Sequence, residues 1–232
     1  MPKSSRKAGK SIRGLAIKRR IDAIISFGFA GLLICSPLFF KALENYIKQI
    51  PSLNLSKTQF SLNFPPTIYL LVIVIASLVI ANGIFLWKRA NHADQGAKGE
   101  ENIGQEISQL EQEGWEVEFN LSLGNRLGDA DVVCISPQNK AYVIDVKSHR
   151  GEVVTDGKQL YRRWGKKNSS FEKNFLEQAM KQALQVKKQK SLSFVTPIVA
   201  FSEAKVSIPS NKVQKIYVVE KSKLIALLKS LG

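Results

Sequence analysis

Cysteine and histidine are scarce, with two of each in 232 residues. Cys35 sits in a long apolar run and Cys134 in the strand-like stretch DVVCIS, while His92 and His149 stand apart. These ligands are too few and too scattered for a zinc site, and a disulfide between two such apolar segments is not expected. Both cysteines read as small apolar fillers. Acidic residues are also in short supply: 19 Asp+Glu face 34 Lys+Arg, for a net charge of +15. That balance favours anionic partners, either nucleic acid or a phospholipid surface, without choosing between them. Residues 1–20 hold no acid and carry Lys3, Arg6, Lys7, Lys10, Arg13, Lys18, Arg19 and Arg20. Such a tail is too polar to build a core and is expected to lack fixed structure. It suits anionic lipid head groups, at about 1 kcal/mol per nearby basic residue.

Charge is missing from two further stretches. IDAIISFGFAGLLICSPLFF (21–40) has one acid, Asp22, at its edge, and IYLLVIVIASLVIANGIFLW (68–87) has no charge. Each matches the ~20 apolar residues that cross a bilayer. Tyr69 and Trp87 stand near the ends of the second run, where interfacial aromatics belong. A pair of buried core helices is the soluble alternative. A cleaved signal peptide fits the first run less well, because its apolar stretch exceeds the usual ~7–15 residues. Basic residues precede the first run, and Lys88-Arg89 follow the second. The segment between holds only Lys41, Lys48 and Lys57. The positive-inside rule then places both termini in the cytoplasm, with a bacterial inner membrane as the expected location.

From residue 88 onward the chain is long enough for a core of its own, and no repeat or low-complexity tract interrupts it. Ile103, Ile107 and Leu110 predict a helix from Gly99 to about Glu113, closed by Gly114. Strands are predicted at WEVEFNL (115–121), DADVVCIS (129–136) and AYVIDVKS (141–148), the last two as a hairpin across PQNK. GEVVT and KQLYRRW read as shorter strands. A helix over 171–190, strands at SFVTPIVAFS and VQKIYVVE, and a final helix over 221–230 complete an α/β domain around a mixed sheet.

Several polar residues fall where this pattern calls for apolar ones. Glu100 lies on the core-facing stripe with Ile103 and Ile107, while Glu101 turns away; an acid in a first helical turn also suits the helix dipole. Asp131 opens DVVCI. Asp145 and Lys147 share one face of their strand, because successive strand side chains alternate. If the hairpin forms, Asp131 and Asp145 approach across adjacent strands and offer hard oxygen ligands suited to Mg²⁺ or Mn²⁺. A surface Asp–Lys ion pair is the simpler reading of the triplet. Gln178 shares a helix stripe with Phe175, Ala179, Gln182 and Val186, either facing a site or at the rim of the core.

Taken in order, these residues resemble the nuclease-related domain (NERD) family of the PD-(D/E)XK, restriction-endonuclease-like superfamily. Its opening G-x-x-G-E appears as Gly96-Ala97-Lys98-Gly99-Glu100, and its Asp-led strand as Asp131-Val132-Val133. Its acid-x-Lys strand end appears as Asp145-Val146-Lys147, followed by Ser148-His149-Arg150-Gly151. Trp164 stands where the family often has Trp. The later N-P-x-x-Q appears as Asn174-Phe175-Leu176-Glu177-Gln178, with Phe in place of Pro. The resemblance implies a restriction-endonuclease-like mixed sheet flanked by helices. It implies Glu100, Asp131 and Asp145 as a site for Mg²⁺ or Mn²⁺, with Glu100, Lys147 and Gln178 serving catalysis. The implied activity is metal-dependent hydrolysis of nucleic-acid phosphodiesters, with DNA the expected substrate. Arg150, Lys158, Arg162, Arg163, Lys166 and Lys167 are placed to meet phosphates, or to form a solvated basic face. The expected organisation is a basic cytoplasmic tail (1–20), transmembrane helices at 21–43 and 67–88 around an external loop (44–66), and a NERD-like domain (89–232). The alternative is a catalytically inactive module of the same fold that binds nucleic acid or a protein at the membrane.

Overall fold

The computed structural model describes residues 8–49, 64–124 and 127–232. The chain divides into two compact units, residues 14–92 and residues 1–13 with 93–232.

The first unit is built from two helices, α1 (Lys10–Lys48) and α2 (Pro66–Ile107), both of which run on into the second unit. Their buried positions recur every seven residues and are small: Ala16, Ala23 and Ala30 on α1, and Ala76, Gly83 and Ala90 on α2. Small residues at that spacing let helix backbones approach closely. Asn82 Nδ2 donates to Ser26 Oγ at 3.3 Å and Arg19 to the Arg89 carbonyl at 3.3 Å, so the helices run antiparallel. Their outer faces leave Ile24, Ile25, Leu32, Leu38, Leu70, Ile73 and Leu78 exposed. By length and composition both helices are long and apolar enough to cross a membrane.

Two sequence expectations need correction here. The basic segment expected to lack structure is helical from Lys10 onward. Lys, Arg, Leu and Ala are good helix formers, and the seam continues through Ala16. Likewise, no separate helix begins at Gly99. Helix α2 runs unbroken from Pro66 to Ile107 and tightens into a 3-10 segment, Ser108–Glu113. No proline interrupts residues 88–98. Gly114 ends the run in a left-handed conformation, as expected.

The second unit holds a mixed sheet flanked by helices. Strands β1 (Glu116–Ser122), β2 (Asp129–Ile135) and β3 (Ala141–Thr155) form an antiparallel meander. Strands β4 (Leu160–Trp164) and β5 (Lys167–Ser170) form a hairpin on the second half of β3. Helix α3 (Phe175–Gln189) then crosses to β6 (Val195–Val206), which pairs in parallel with β3. Strands β7 (Lys212–Val213) and β8 (Ile216–Glu220) and helix α4 (Lys221–Leu231) complete the unit. Strand order is β1-β2-β3-β6-β8-β7.

One face of the sheet packs Val132, Tyr142, Ile144 and Ile198 against Ile103, Ile107 and Leu110, with Leu224 and Leu228 of α4. The other face packs on α3, which buries Phe175, Leu176, Ala179, Ala183 and Val186. GEVVT is not a separate strand but the second half of β3. The strand passes through a register shift between Lys147 and Arg150 and continues.

Candidate active site

Strand β3 changes partner along its length. Its pairing with β2 ends at Val132↔Ile144 and its pairing with β4 begins at Glu152↔Arg163. Between them, on that side, the backbone from Asp145 to Gly151 has no strand beside it among the described residues. Asp131 fills part of the gap: its Oδ2 accepts the Val146 N–H at 2.7 Å. The expected approach of Asp131 and Asp145 across neighbouring strands is therefore present, with a backbone N–H between them.

Asp145 is 1% exposed. Lys147 Nζ lies 2.8 Å from its Oδ1 and 2.7 Å from its Oδ2. Only Oδ1 is met in hydrogen-bonding geometry, and Oδ2 is left buried without a directed donor. Gln178 Nε2 adds a long contact to Oδ1 at 3.3 Å. The Lys147 ammonium also sits 4.9 Å from the centre of the Phe175 ring. The surface ion pair considered from the triplet is thus a buried one.

Glu100 enters from α2, on the opposite side of the sheet from α3. It is buried, as its place on the Ile103–Ile107 stripe requires, while Glu101 is partly exposed. Its Oε2 accepts the Gly9 N–H at 3.1 Å. The helix comes this close to the sheet because position 99 is glycine. A Cβ there would lie 2.8 Å from Ser202 Oγ and 2.9 Å from Ser148 Cβ. Gln95, one turn earlier, donates to the Ser148 carbonyl at 2.8 Å and fixes the same approach.

The three carboxylates feel one another. Burial, opposed by the Gly9 N–H and the charge of Lys147, pushes Glu100 up to about 7, with Asp145 and Asp129 adding to the rise. Asp131 is raised well above the usual range by burial, then by the charges of Asp145 and Glu100. Burial raises Asp145 too, and Lys147 opposes it. Two acids from the sheet and one from a helix therefore crowd into a poorly solvated space beside the Lys147 ammonium, with the charge of Lys173 also felt by Asp145.

Those donors fit a hard divalent cation in chemistry, because carboxylate oxygens are what Mg²⁺ and Mn²⁺ select. Asp145 Oδ2 is buried with the Lys147 ammonium 2.7 Å away but no directed hydrogen bond among the described residues. Among the described residues, however, no three acidic, histidine or cysteine side chains are gathered into a ready-made coordination shell. Lys147 takes the place beside Asp145.

Two residues gain significance that their sequence positions did not give them. Gln182, seen only as part of the α3 stripe, is 2% exposed and donates to the Asp129 carbonyl at 3.2 Å. Its Oε1 is buried without a donor. A polar residue one turn after Gln178, on an otherwise apolar stripe, was the available signal. His149 packs edge-on against Phe171, with centroids 5.1 Å apart, and its Nδ1 is likewise buried without a partner. Burial and the neighbouring charges of Lys147 and Arg162 lower its pKa.

The basic residues are not equivalent. Arg150 pairs with Glu203. Arg163 grips Glu152 with two N–H groups at 2.7 and 2.6 Å and holds that carboxyl down at about 2. Lys158, Lys166 and Lys167 are exposed. Helix α3 starts at Phe175 rather than at 171 as the sequence suggested: the Asn174 side chain accepts the Glu177 N–H at 3.1 Å and caps the helix there.

Residues 95–202 match the family model of the nuclease-related domain, NERD. That match spans Glu100, Asp131, Asp145, Lys147 and Gln178, so this stretch of the chain is similar to that domain. No curated protein and no solved structure matches the chain.

Proposed function

We propose that the protein is a membrane-anchored nuclease whose restriction-endonuclease-like domain faces the cytoplasm and hydrolyses nucleic-acid phosphodiesters, DNA foremost, with Mg²⁺ or Mn²⁺. The observation that carries the reading is the gathering of Glu100, Asp131, Asp145, Lys147 and Gln178 from four separate elements around one poorly solvated point. Asp131 and Asp145, with Glu100, are the residues to hold the cation. When bound, such an ion supplies Lewis-acid polarisation of a phosphate and makes water a stronger nucleophile. Lys147 positions the attacking water or offsets charge developing on the phosphate. Gln178 and Gln182 orient Asp145 and the surrounding polar groups from one face of α3.

The anchor rests on the two long apolar helices, whose outward faces carry large aliphatic side chains. The orientation rests on the basic residues ahead of α1 and on Lys88-Arg89. Anionic lipid head groups suit the same basic N-terminal segment. A reporter fused after Gly232 is expected to be active only in the cytoplasm, and activity outside would overturn the orientation.

A second reading has its own support. Lys147 occupies Asp145, and no complete ligand shell stands ready, as befits a fold retained for binding alone. Full-length protein in detergent, given plasmid, single-stranded DNA or RNA, separates the two. A nuclease cuts with Mg²⁺ or Mn²⁺, stops in EDTA, and is silenced by Asp145→Asn and Lys147→Met. A protein that cuts nothing, with wild type and variants binding nucleic acid equally, is the binding module instead.

A further inference from the structure

Beyond the acid cluster, the α3-side face of β3 continues through a surface that its chemistry has not used. Asp145, Lys147 and His149 lie along this face, the last two against Phe175. Gly151 follows, about 13 Å beyond Lys147 at ~3.3 Å per residue. Its φ of +99° favours glycine, and a Cβ would approach the Trp164 ring to 3.1 Å. Trp164, on β4, thus lies over the one residue of this strand with no side chain. It nevertheless remains 64% exposed. Arg162, two residues earlier on the same face of β4, places its guanidinium 4.9 Å from the indole centre.

A single exposed apolar side chain is ordinary by itself; what distinguishes Trp164 is the arginine on its ring. The surrounding charge says what would cover it. Residues 158–170 carry Lys158, Arg162, Arg163, Lys166 and Lys167 and no acid. Arg163 and Arg150 are committed to Glu152 and Glu203. Arg162 instead stacks on the indole, and its Nε is buried with no acceptor among the described residues. An aromatic face beside an arginine and exposed lysines is the pairing that holds single-stranded nucleic acid. Bases stack on the ring, and cations follow the phosphates.

We infer that Trp164 and Arg162 form a base-stacking subsite for single-stranded nucleic acid, on the same sheet face as the Asp145–Lys147 site. The inference rests on the nuclease reading of that site but specifies its substrate: an unpaired strand, held by one of its bases beyond the point of cleavage. A duplex keeps its bases stacked inside and offers this ring nothing comparable.

The test is equilibrium binding of full-length protein in detergent to a fluorescent single-stranded oligonucleotide in EDTA, where no metal-dependent cutting occurs. Trp164→Ala is expected to weaken binding roughly 5- to 150-fold, the range for losing one base stack. Trp164→Phe, which keeps a ring, is expected to retain most of the affinity. An oligonucleotide of abasic sites is expected to bind wild type no better than it binds Trp164→Ala. Equal binding of the normal strand by wild type and Trp164→Ala overturns the inference. So does a Trp164→Ala defect that appears only with anionic vesicles, which assigns the ring to a lipid surface. Stacking without any cutting in Mg²⁺ leaves this subsite standing and removes the nuclease reading; cutting without a Trp164 effect does the reverse.

Discussion

Asp131 Oδ2 holds the backbone N–H of Val146 at 2.7 Å, between the two polar residues, Asp145 and Lys147, of the neighbouring strand. The carboxylate substitutes for the strand partner that β3 lacks at this point, so one residue both satisfies the backbone and supplies an acid. Asp131→Ala leaves that N–H without its acceptor and is expected to destabilise the protein by about 1–3 kcal/mol. Asp131→Asn keeps an oxygen for Val146 and removes a crowded charge. Its thermal midpoint at pH 8 without metal is expected at or above that of wild type. Equal losses in both variants would show that the cap does not matter.

Lys147 and Asp145 should behave as a coupled pair. Lys147→Met strands a buried carboxylate and is expected to cost about 3–5 kcal/mol. Adding Asp145→Asn to it should return much of that loss. Additive effects in chemical denaturation would contradict the pairing.

Glu100 links stability to pH. Its folded-state value, about 7, lies above the ordinary 4.5, so between these values the folded chain binds more protons than the unfolded one. Stability without metal is therefore expected to fall as pH rises from 4.5 to 7, by at most ~1.4 kcal/mol per unit from this group. The loss is complete above that window. Glu100→Gln should flatten its share of the slope. Divalent cations need the ionised acids, so their affinity should rise over the same window. Unfolding curves of both proteins across this range check the first point, and metal titrations the second.

Gly99 sets how closely α2 approaches the sheet. Gly99→Ala puts a Cβ 2.8 Å from Ser202 Oγ. It is expected to destabilise by about 1–3 kcal/mol through overpacking and to reduce activity by lifting Glu100 away from Asp131. A variant as stable and active as wild type would show that the gap can relax.

Much of this arrangement was readable in the sequence, because it rests on short periodicities. The stripe Glu100-Ile103-Ile107 put an acid on the buried side of a helix. Strand alternation set Asp145 and Lys147 on one face, and the four-residue turn at PQNK fixed their hairpin with Asp131. What the sequence hid depends on contacts between distant segments. Nothing local says that Asp145 Oδ1 meets Gln178, that Gln182 reaches the Asp129 carbonyl, or that Gly9 donates to Glu100. The continuity of β3 through Gly151 was hidden because a glycine after four polar residues reads as a strand end. It is β6, pairing on both sides of the register shift, that carries the strand onward. The helices looked shorter than they are because their apolar runs end in basic and polar residues, whereas the helical backbone continues beyond them.

The central claim is that the crowded acids form a site for a divalent cation. Mn²⁺ titration of the metal-free full-length protein, followed by electron paramagnetic resonance of the free ion, tests it most directly. The expected result is saturable binding by wild type near pH 8, weakened at least about tenfold by Asp145→Asn and by Asp131→Asn, as for loss of a direct ligand. The claim is contradicted if wild type takes up no Mn²⁺, or if both variants bind it as wild type does.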